Sequence, residues 1–155
     1  MNDLIITQAV KEDFPAILDI QRKAFLEVAR TFHLQSMPQI EQTLESLTAE
    51  FNNCTILKAS LANRIVGSVR AYNHDDTCYI SRLVVLPEYQ NRGIGKALMK
   101  EIENQFKNIV NRYELFTGSR DQRNQYLYNR LGYKPFKTEY LNNEITFVFM
   151  EKSAQ

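Results

Sequence analysis

The residues best suited to chemistry lie together in the segment Val84-Val-Leu-Pro-Glu-Tyr-Gln-Asn-Arg-Gly-Ile-Gly-Lys96. An apolar run stops at Pro87, polar residues follow, and a helical pattern begins around Gly93 and Gly95. A helix start leaves several N–H groups without intrahelical partners, and the helix dipole makes that end electropositive. Glycine lets a ligand approach the backbone closely and lets a turn adopt positive φ. Gln90, Asn91, Arg92, Gly93, Ile94, Gly95 and Lys96 thus form a candidate cradle for an anionic group. Read alone, the two glycines are explained equally well by a turn that only needs flexibility. Two phosphate-binding patterns fail on detail. The dinucleotide fingerprint needs a third glycine where Leu98 stands, and Glu114, about twenty residues on, opens the next strand where it should close it. A P-loop needs Gly-Lys-Ser/Thr, and here Ala97 follows Lys96.

Other reactive residue types are dispersed. Cys54 and Cys78 sit far apart in apolar runs and read as buried, reduced core residues in preference to a disulfide or metal pair. His33 and His74 are isolated as well, so no metal requirement is expected, because metal ligands need close spacing. The 155 residues carry a net charge of +1 and no stripe of Lys and Arg, which gives no case for a nucleic-acid surface. A hydrophobic share of 44% and a charged share of 24% suit one water-soluble globular domain spanning residues 1–155. The opening MNDLIITQAVKEDF has neither a basic n-region nor a long apolar stretch. No signal peptide, no membrane association and a cytoplasmic location are expected.

The elements that must position the cradle follow from periodicity. Leu4–Val10 reads as a short strand and Asp13 to about Phe32 as a helix, with Pro15 in its first turn. The link HLQSMP leads to a second predicted helix from Pro38 to Phe51, with Ile40, Leu44, Leu47 and Phe51 at helical spacing. CTILKASL, IVGSVRAY and CYISRLVVL, joined by ANR and NHDDT, predict a three-stranded antiparallel meander. A helix carrying Leu98, Ile102 and Phe106 on one face comes next, then a strand RYELFTG, a short helix ended by Gly132, and a closing hairpin. The order β-α-α-β-β-β-α-β-α-β-β predicts an α/β fold, with a mostly antiparallel twisted sheet and about four helices.

The segment Leu83–Met99 resembles the acyl-CoA-binding motif of the GNAT family of N-acetyltransferases, in which Gln/Arg-x-x-Gly-x-Gly/Ala follows a strand and a Val-x-Pro turn. Gln90, Arg92, Gly93, Ile94 and Gly95 fit that motif position by position. LYNRLGYKPF resembles the family's second signature at Leu127, Tyr128, Gly132 and Tyr133, at the expected separation and with one helix and one strand between. The resemblance covers essentially the whole chain. It implies a GNAT-like fold and transfer of an acetyl group from acetyl-CoA directly to an amine in a ternary complex. It places the pyrophosphate of coenzyme A on the N–H groups of Arg92 to Lys96, with Lys96 either a phosphate contact or a solvated lysine. It also implies that pantetheine pairs with the strand at Leu83, Val84 and Val85, the Leu83 N–H donating to the thioester carbonyl.

Tyr128 occupies the family's position for the general acid that meets the departing thiolate; an aromatic core residue is the alternative. Many relatives carry a cofactor-contacting asparagine seven residues earlier; here that position is Asp121, read as a helix cap, and Asn124 is the candidate substitute. Tyr79 stands where some relatives have a catalytic glutamate. Strand alternation places it on one face with Ser81, Leu83 and Val85, where Tyr79 and Ser81 can order a relaying water. His33, His74, Glu27 and Glu41 are weaker candidates for the base. Arg70 and Arg82 suit a substrate carboxylate, and structural ion pairs suit them equally. The acceptor is left open between a small amine, an amino acid, a peptide N-terminus and a lysine, as are longer acyl donors and a monomer or homodimer. The alternative is an acyl-CoA-binding sensor or partner protein that keeps the fold without turnover.

Overall fold

A computed structural model describes residues 3–35 and 37–154. The expectations touching Met1, Asn2, Ser36 and Gln155 therefore lie outside the described residues. The elements are β1 (Ile5–Gln8), α1 (Phe14–Phe32), α2 (Pro38–Glu41), α3 (Leu44–Phe51), β2 (Thr55–Leu61), β3 (Arg64–His74) and β4 (Thr77–Val85). They continue with α4 (Ile94–Phe106), β5 (Arg112–Gly118), α5 (Gln122–Arg130), β6 (Lys134–Tyr140) and β7 (Thr146–Ser153). The sheet has seven strands in the order β1-β2-β3-β4-β5-β7-β6. Every neighbouring pair is antiparallel except β4–β5. The α/β class, the strand assignments and the mostly antiparallel sheet agree with the sequence.

The meander's turns follow local chemistry. Ala62 and Asn63 have φ of 50° and 66°, and Asp75 and Asp76 have 48° and 66°. Paired left-handed residues are what tight hairpins between twisted strands require, and Asn and Asp tolerate that region. α4 lies on one face of the meander, where Ile94 and Leu98 crowd against Gly67. α1 and α3 cover the other face. Leu98, Met99, Ile102 and Phe106 are buried with Val66, Val69, Ile80 and Val84 in the main core, while Phe14, Ile17, Leu18, Leu47 and Ile56 form a second cluster.

Two expectations need correction. The helix from Pro38 to Phe51 is broken in two, which raises the helix number to five. Gln42 takes an extended ψ of 136°, and Thr43 caps α3 by accepting a 3.1 Å hydrogen bond from the Ser46 N–H. The break turns the Gln42 side chain inward, where its Nε2 donates to Glu50 Oε2 at 2.8 Å and its Oε1 accepts from Arg70 at 3.1 Å.

The second correction concerns β4. Arg70 pairs with Ser81 but Ser68 pairs with Val84, so Arg82 and Leu83 form a bulge with φ of 54° at Arg82. Cross-strand partners share a face. Ser81 therefore lies with Arg70 on the α1/α3 side, whereas Leu83 and Val85 approach Gly95 of α4. The extra residue breaks the period of two, so Tyr79, Ser81, Leu83 and Val85 do not share one face.

Arg70 is 1% exposed and ties the helical layer to the sheet. Its Nη1 donates to Glu50 Oε2 at 3.0 Å, and its Nη2 donates to Gln21 Oε1. Gln21 in turn donates to the Gln39 carbonyl at 2.8 Å, so α1, α2 and α3 all meet at one guanidinium. Arg70→Met keeps the volume but leaves Glu50, Gln21 and Gln42 without their shared donor. Breaking a buried pair in this way costs about 3–5 kcal/mol. Partial exposure of Glu50, whose side chain is 37% accessible, places the loss at about the lower end of that range. Urea unfolding should show the midpoint falling with unchanged slope; a variant as stable as the parent would refute this role.

Candidate active site

The central feature is an early parting of two strands. β4 and β5 pair only through Thr77–Arg112, Cys78–Tyr113 and Tyr79–Glu114. Beyond them β5 keeps β7, while β4 from Ile80 onward has no partner on its β5 side. A cavity of about 650 Å³ opens there, lined by Leu83, Val84 and Val85, by the Tyr89–Lys96 turn apart from Arg92, by α5 and by one side of α1.

The turn offers donors to this cavity. After Pro87–Tyr89, Gln90 folds back and its Nε2 donates to the Val85 carbonyl at 3.1 Å. Asn91 and Gly93 both take positive φ, 65° and 83°, which aims successive N–H groups in one direction. Among the described residues the N–H groups of Asn91, Arg92, Gly93, Ile94, Gly95 and Lys96 have no acceptor. Asn91, Arg92, Gly93 and Lys96 are exposed, so their donors are open to water or to a ligand. Gly95 keeps the wall low: a Cβ there would meet Leu127 and Leu83 at 3.8 Å and Val85 at 3.9 Å. Lys96, Arg123 and Arg130 add positive charge to the lining, against the carboxylates Glu27 and Asp121.

The turn, Leu83–Val85 and Asn124 are brought together; Arg92 directs its guanidinium over the Tyr89 ring at 5.1 Å instead. Asp121 caps α5, its Oδ1 accepting from the Asn124 N–H at 3.1 Å. Tyr128 is 6% exposed and, unlike its neighbours Asn124, Leu127 and Leu131, is not among the residues lining the cavity. Burial, helped by the Asp121 charge, pushes its pKa up, so the hydroxyl stays protonated well past neutrality. It makes no hydrogen bond to a described residue, whereas the hydroxyls of Tyr113 and Tyr133 are both spent on Glu103, at 2.8 and 2.7 Å. Tyr126 is 65% exposed. Of these tyrosines, Tyr128 alone is both buried and uncommitted.

Other candidates fall elsewhere. Tyr79 stacks on Tyr72 at 5.2 Å. His74 faces Asp75 in an exposed turn, and His33 caps α1 with φ of 58°. His33 and Glu41 line a separate open cleft between α1 and α2, while Glu27 lines the main cavity. Among the described residues no group of His, Cys, Asp and Glu could hold a metal ion, and no helix is long and apolar enough to cross a membrane. The resemblance places the segment 27–42, with Val28 and Thr31, at the acceptor site; sequence reasoning missed Ala24 and Phe25 of the same wall and the basic pair Arg123 and Arg130. For the arginines a signal was present, since both lie on the short helix between Asp121 and Gly132.

Residues 19–154 match the family model described as an acetyltransferase (GNAT) domain. The chain belongs to the GNAT acetyltransferase family. It is similar to the PaiA N-acetyltransferase from Thermoplasma acidophilum, solved with coenzyme A, at TM-score 0.80 and 20% identity over 97% of this chain and 98% of that one. It is similar as well to the ribosomal-protein-S18-alanine N-acetyltransferase from Escherichia coli, at 0.81 and 15% over 98% and 94%. YncA, a putative acetyltransferase from Salmonella typhimurium solved with its cofactor acetyl-CoA, matches at 0.80 and 17% over 99% and 95%. At these identities the likeness establishes the fold. No curated protein sequence matches the chain.

The thiols matter for any assay of this site. Burial pushes Cys54 up to about 11, with Glu50 adding to it, and Cys78 up to about 12, with Glu103 adding to it. A raised folded-state value means the neutral thiol is favoured by folding; that stability is fully present below the unfolded thiol's pKa and is lost as pH rises from there through these values. At pH 8 the folded protein should therefore leave Ellman's reagent unreacted over an hour, and both thiols should react in urea. Rapid reaction of the native protein would contradict this.

Proposed function

We propose that this chain is an acetyl-CoA-dependent N-acetyltransferase that passes the acetyl group directly to an amine in a ternary complex. The observation that carries it is the run of unaccepted N–H groups from Asn91 to Lys96 beside the edge of β4 left unpaired by β5. Residues present in the cavity fit coenzyme A: the helix start and Lys96 meet a pyrophosphate, and Leu83, Val84 and Val85 offer an extended backbone edge for the pantetheine amides. Asn124 lines the same wall. Acetyl-CoA supplies the activated acyl group.

The chain's residues then act at three points. The Leu83 N–H is set at a bulge, where backbone can turn toward the thioester oxygen and stabilise charge developing on it. Tyr128 holds a protonated hydroxyl with no competing partner and donates toward the departing sulfur. Glu27 is the lining carboxylate free to take the acceptor's proton, because Asp121 already holds the end of α5. Ala24, Phe25 and Val28 of α1 give the cavity an apolar wall beside Glu27.

Gly95→Val should abolish coenzyme A binding in a calorimetric titration. Its Cβ meets ordinary contact distances, but the added methyl groups enter the space a phosphate must reach. Melting temperature should change little, and unchanged affinity would overturn the assignment.

Tyr128→Phe keeps the ring against Tyr133, 6.0 Å away edge to face, and deletes only the hydroxyl. An interaction made chiefly in the transition state alters kcat, not KM. With a screen of amines followed by thiol release, kcat should fall by roughly 10²–10⁴-fold with KM for acetyl-CoA little changed. Near-normal kcat would make Tyr128 a packing residue. Tight coenzyme A binding with no thiol release from any amine would favour a binding protein without turnover.

A further inference from the structure

The chain carries a net charge of +1, yet three cations line one cavity: Lys96 at the start of α4, and Arg123 and Arg130 on α5. None of the three makes an ion pair among the described residues. The carboxylates of the lining do not answer them, for Asp121 is taken up as the cap of α5 and Glu27 belongs to α1. A cleft lined by charges of one sign concentrates ions of the other.

The two arginines belong to one stripe of α5. Arg123, Tyr126, Leu127 and Arg130 all line the cavity, at a spacing that puts them on a common helix face. Leu127 sets that stripe beside the donor turn, since its Cδ2 would lie 3.8 Å from a Cβ on Gly95. Each arginine is held by a neutral neighbour. Arg123 Nη2 donates to the side-chain oxygen of Asn91, inside the turn, at 3.2 Å. The Arg130 guanidinium lies 5.9 Å from the centre of the Tyr126 ring, and Tyr126 is itself 65% exposed. An amide and an aromatic ring position a guanidinium without cancelling its charge.

Charge and place define the ligand group. The pyrophosphate already has the N–H groups of the turn and Lys96 to meet it. Two further guanidiniums beside it call for a further anion. Coenzyme A carries one: next to the pyrophosphate, its ribose bears a 3′-phosphate. Such a monoester has about −1.5 to −2 charges at neutral pH and three strong acceptor oxygens. A guanidinium meets these oxygens through paired, charge-assisted hydrogen bonds. We propose that Arg123 and Arg130 bind the ribose 3′-phosphate of the acyl donor, so that α5 selects a nucleoside 3′,5′-bisphosphate over a nucleotide lacking that group. The inference rests on the coenzyme A reading and deepens it. Backbone groups of the turn hold the pyrophosphate, and two side chains of α5 read the ribose.

The test is a calorimetric titration of the full chain with coenzyme A and with 3′-dephospho-coenzyme A, which differ only in that phosphate. Coenzyme A should bind more tightly by roughly 10- to 100-fold, the range for hydrogen bonds to charged groups, and the ratio should shrink as salt is raised. Arg123→Gln and Arg130→Gln should each lower the ratio, and the double variant should bring it to about one while leaving dephospho-coenzyme A affinity little changed. Arg123→Lys and Arg130→Lys should keep part of the preference, because charge survives and the paired geometry does not. Adenosine 3′,5′-bisphosphate should compete with coenzyme A better than adenosine 5′-diphosphate does, and the double variant should abolish that difference. Equal affinity for the two coenzymes, or a ratio that survives the double variant, would overturn the proposal and leave the coenzyme A reading standing. No binding of either coenzyme would overturn both.

Discussion

Three residue pairs hold β4 to β5, and the rest of the site depends on their being so few. Past Tyr79 and Glu114 a parallel pair would normally continue its ladder, and backbone groups released from a ladder need other partners. On its other edge β5 stays paired with β7 along the whole of Arg112–Gly118. β4 keeps only β3, and its other edge faces a cavity. The bulge at Arg82 and Leu83 falls where support from β5 has ended, and the Leu86 N–H recaptures the strand by donating to the Val66 carbonyl at 2.9 Å. Two left-handed residues then turn the chain into α4. An open strand edge and a bare helix start thus arise as neighbours from one interruption of the sheet.

That interruption weakens the sheet where a helical layer has to hold it. Arg70 sits on β3 opposite Ser81, next to the last residues before the bulge, and gathers α1, α2 and α3 through Gln21, Gln42 and Glu50. Burying a charge is costly unless it is paired and hydrogen-bonded, so the network specifies one seating of these helices more than it adds stability. Because α1 also forms a wall of the cavity, the position of Phe25, Glu27 and Val28 relative to β4 is fixed through the same guanidinium.

Much of this was legible in the sequence. The strands, the αL-prone turns at Asn63 and Asp75, and the Gly93–Gly95 helix start follow from local patterns that tertiary packing does not oppose. The failures share a cause. Thr43 caps a new helix only because Gln42 is drawn inward by Arg70, a contact 28 residues away in sequence. The bulge at Arg82 leaves no mark on an apolar strand, because Leu83, Val84 and Val85 suit either face. Non-local contacts set both features. The different fates of Arg70 and Arg82 were equally invisible, since the sequence places them on adjacent strands but does not say which one meets Glu50.

The division of labour between backbone and side chains explains why so distant a chain still matches its neighbours. Identities of 15% to 20% accompany TM-scores of 0.80 and 0.81. Donors from Asn91 to Lys96 are main-chain groups, as is the edge of β4, so their geometry needs a turn and a parted sheet and few particular side chains. Side chains matter where charge appears or must be recognised. Burial raises the pKa of the Tyr128 hydroxyl, and the Arg82 side chain has no hydrogen-bond or ion-pair partner among the described residues. Preorganised backbone can be inherited through extensive substitution.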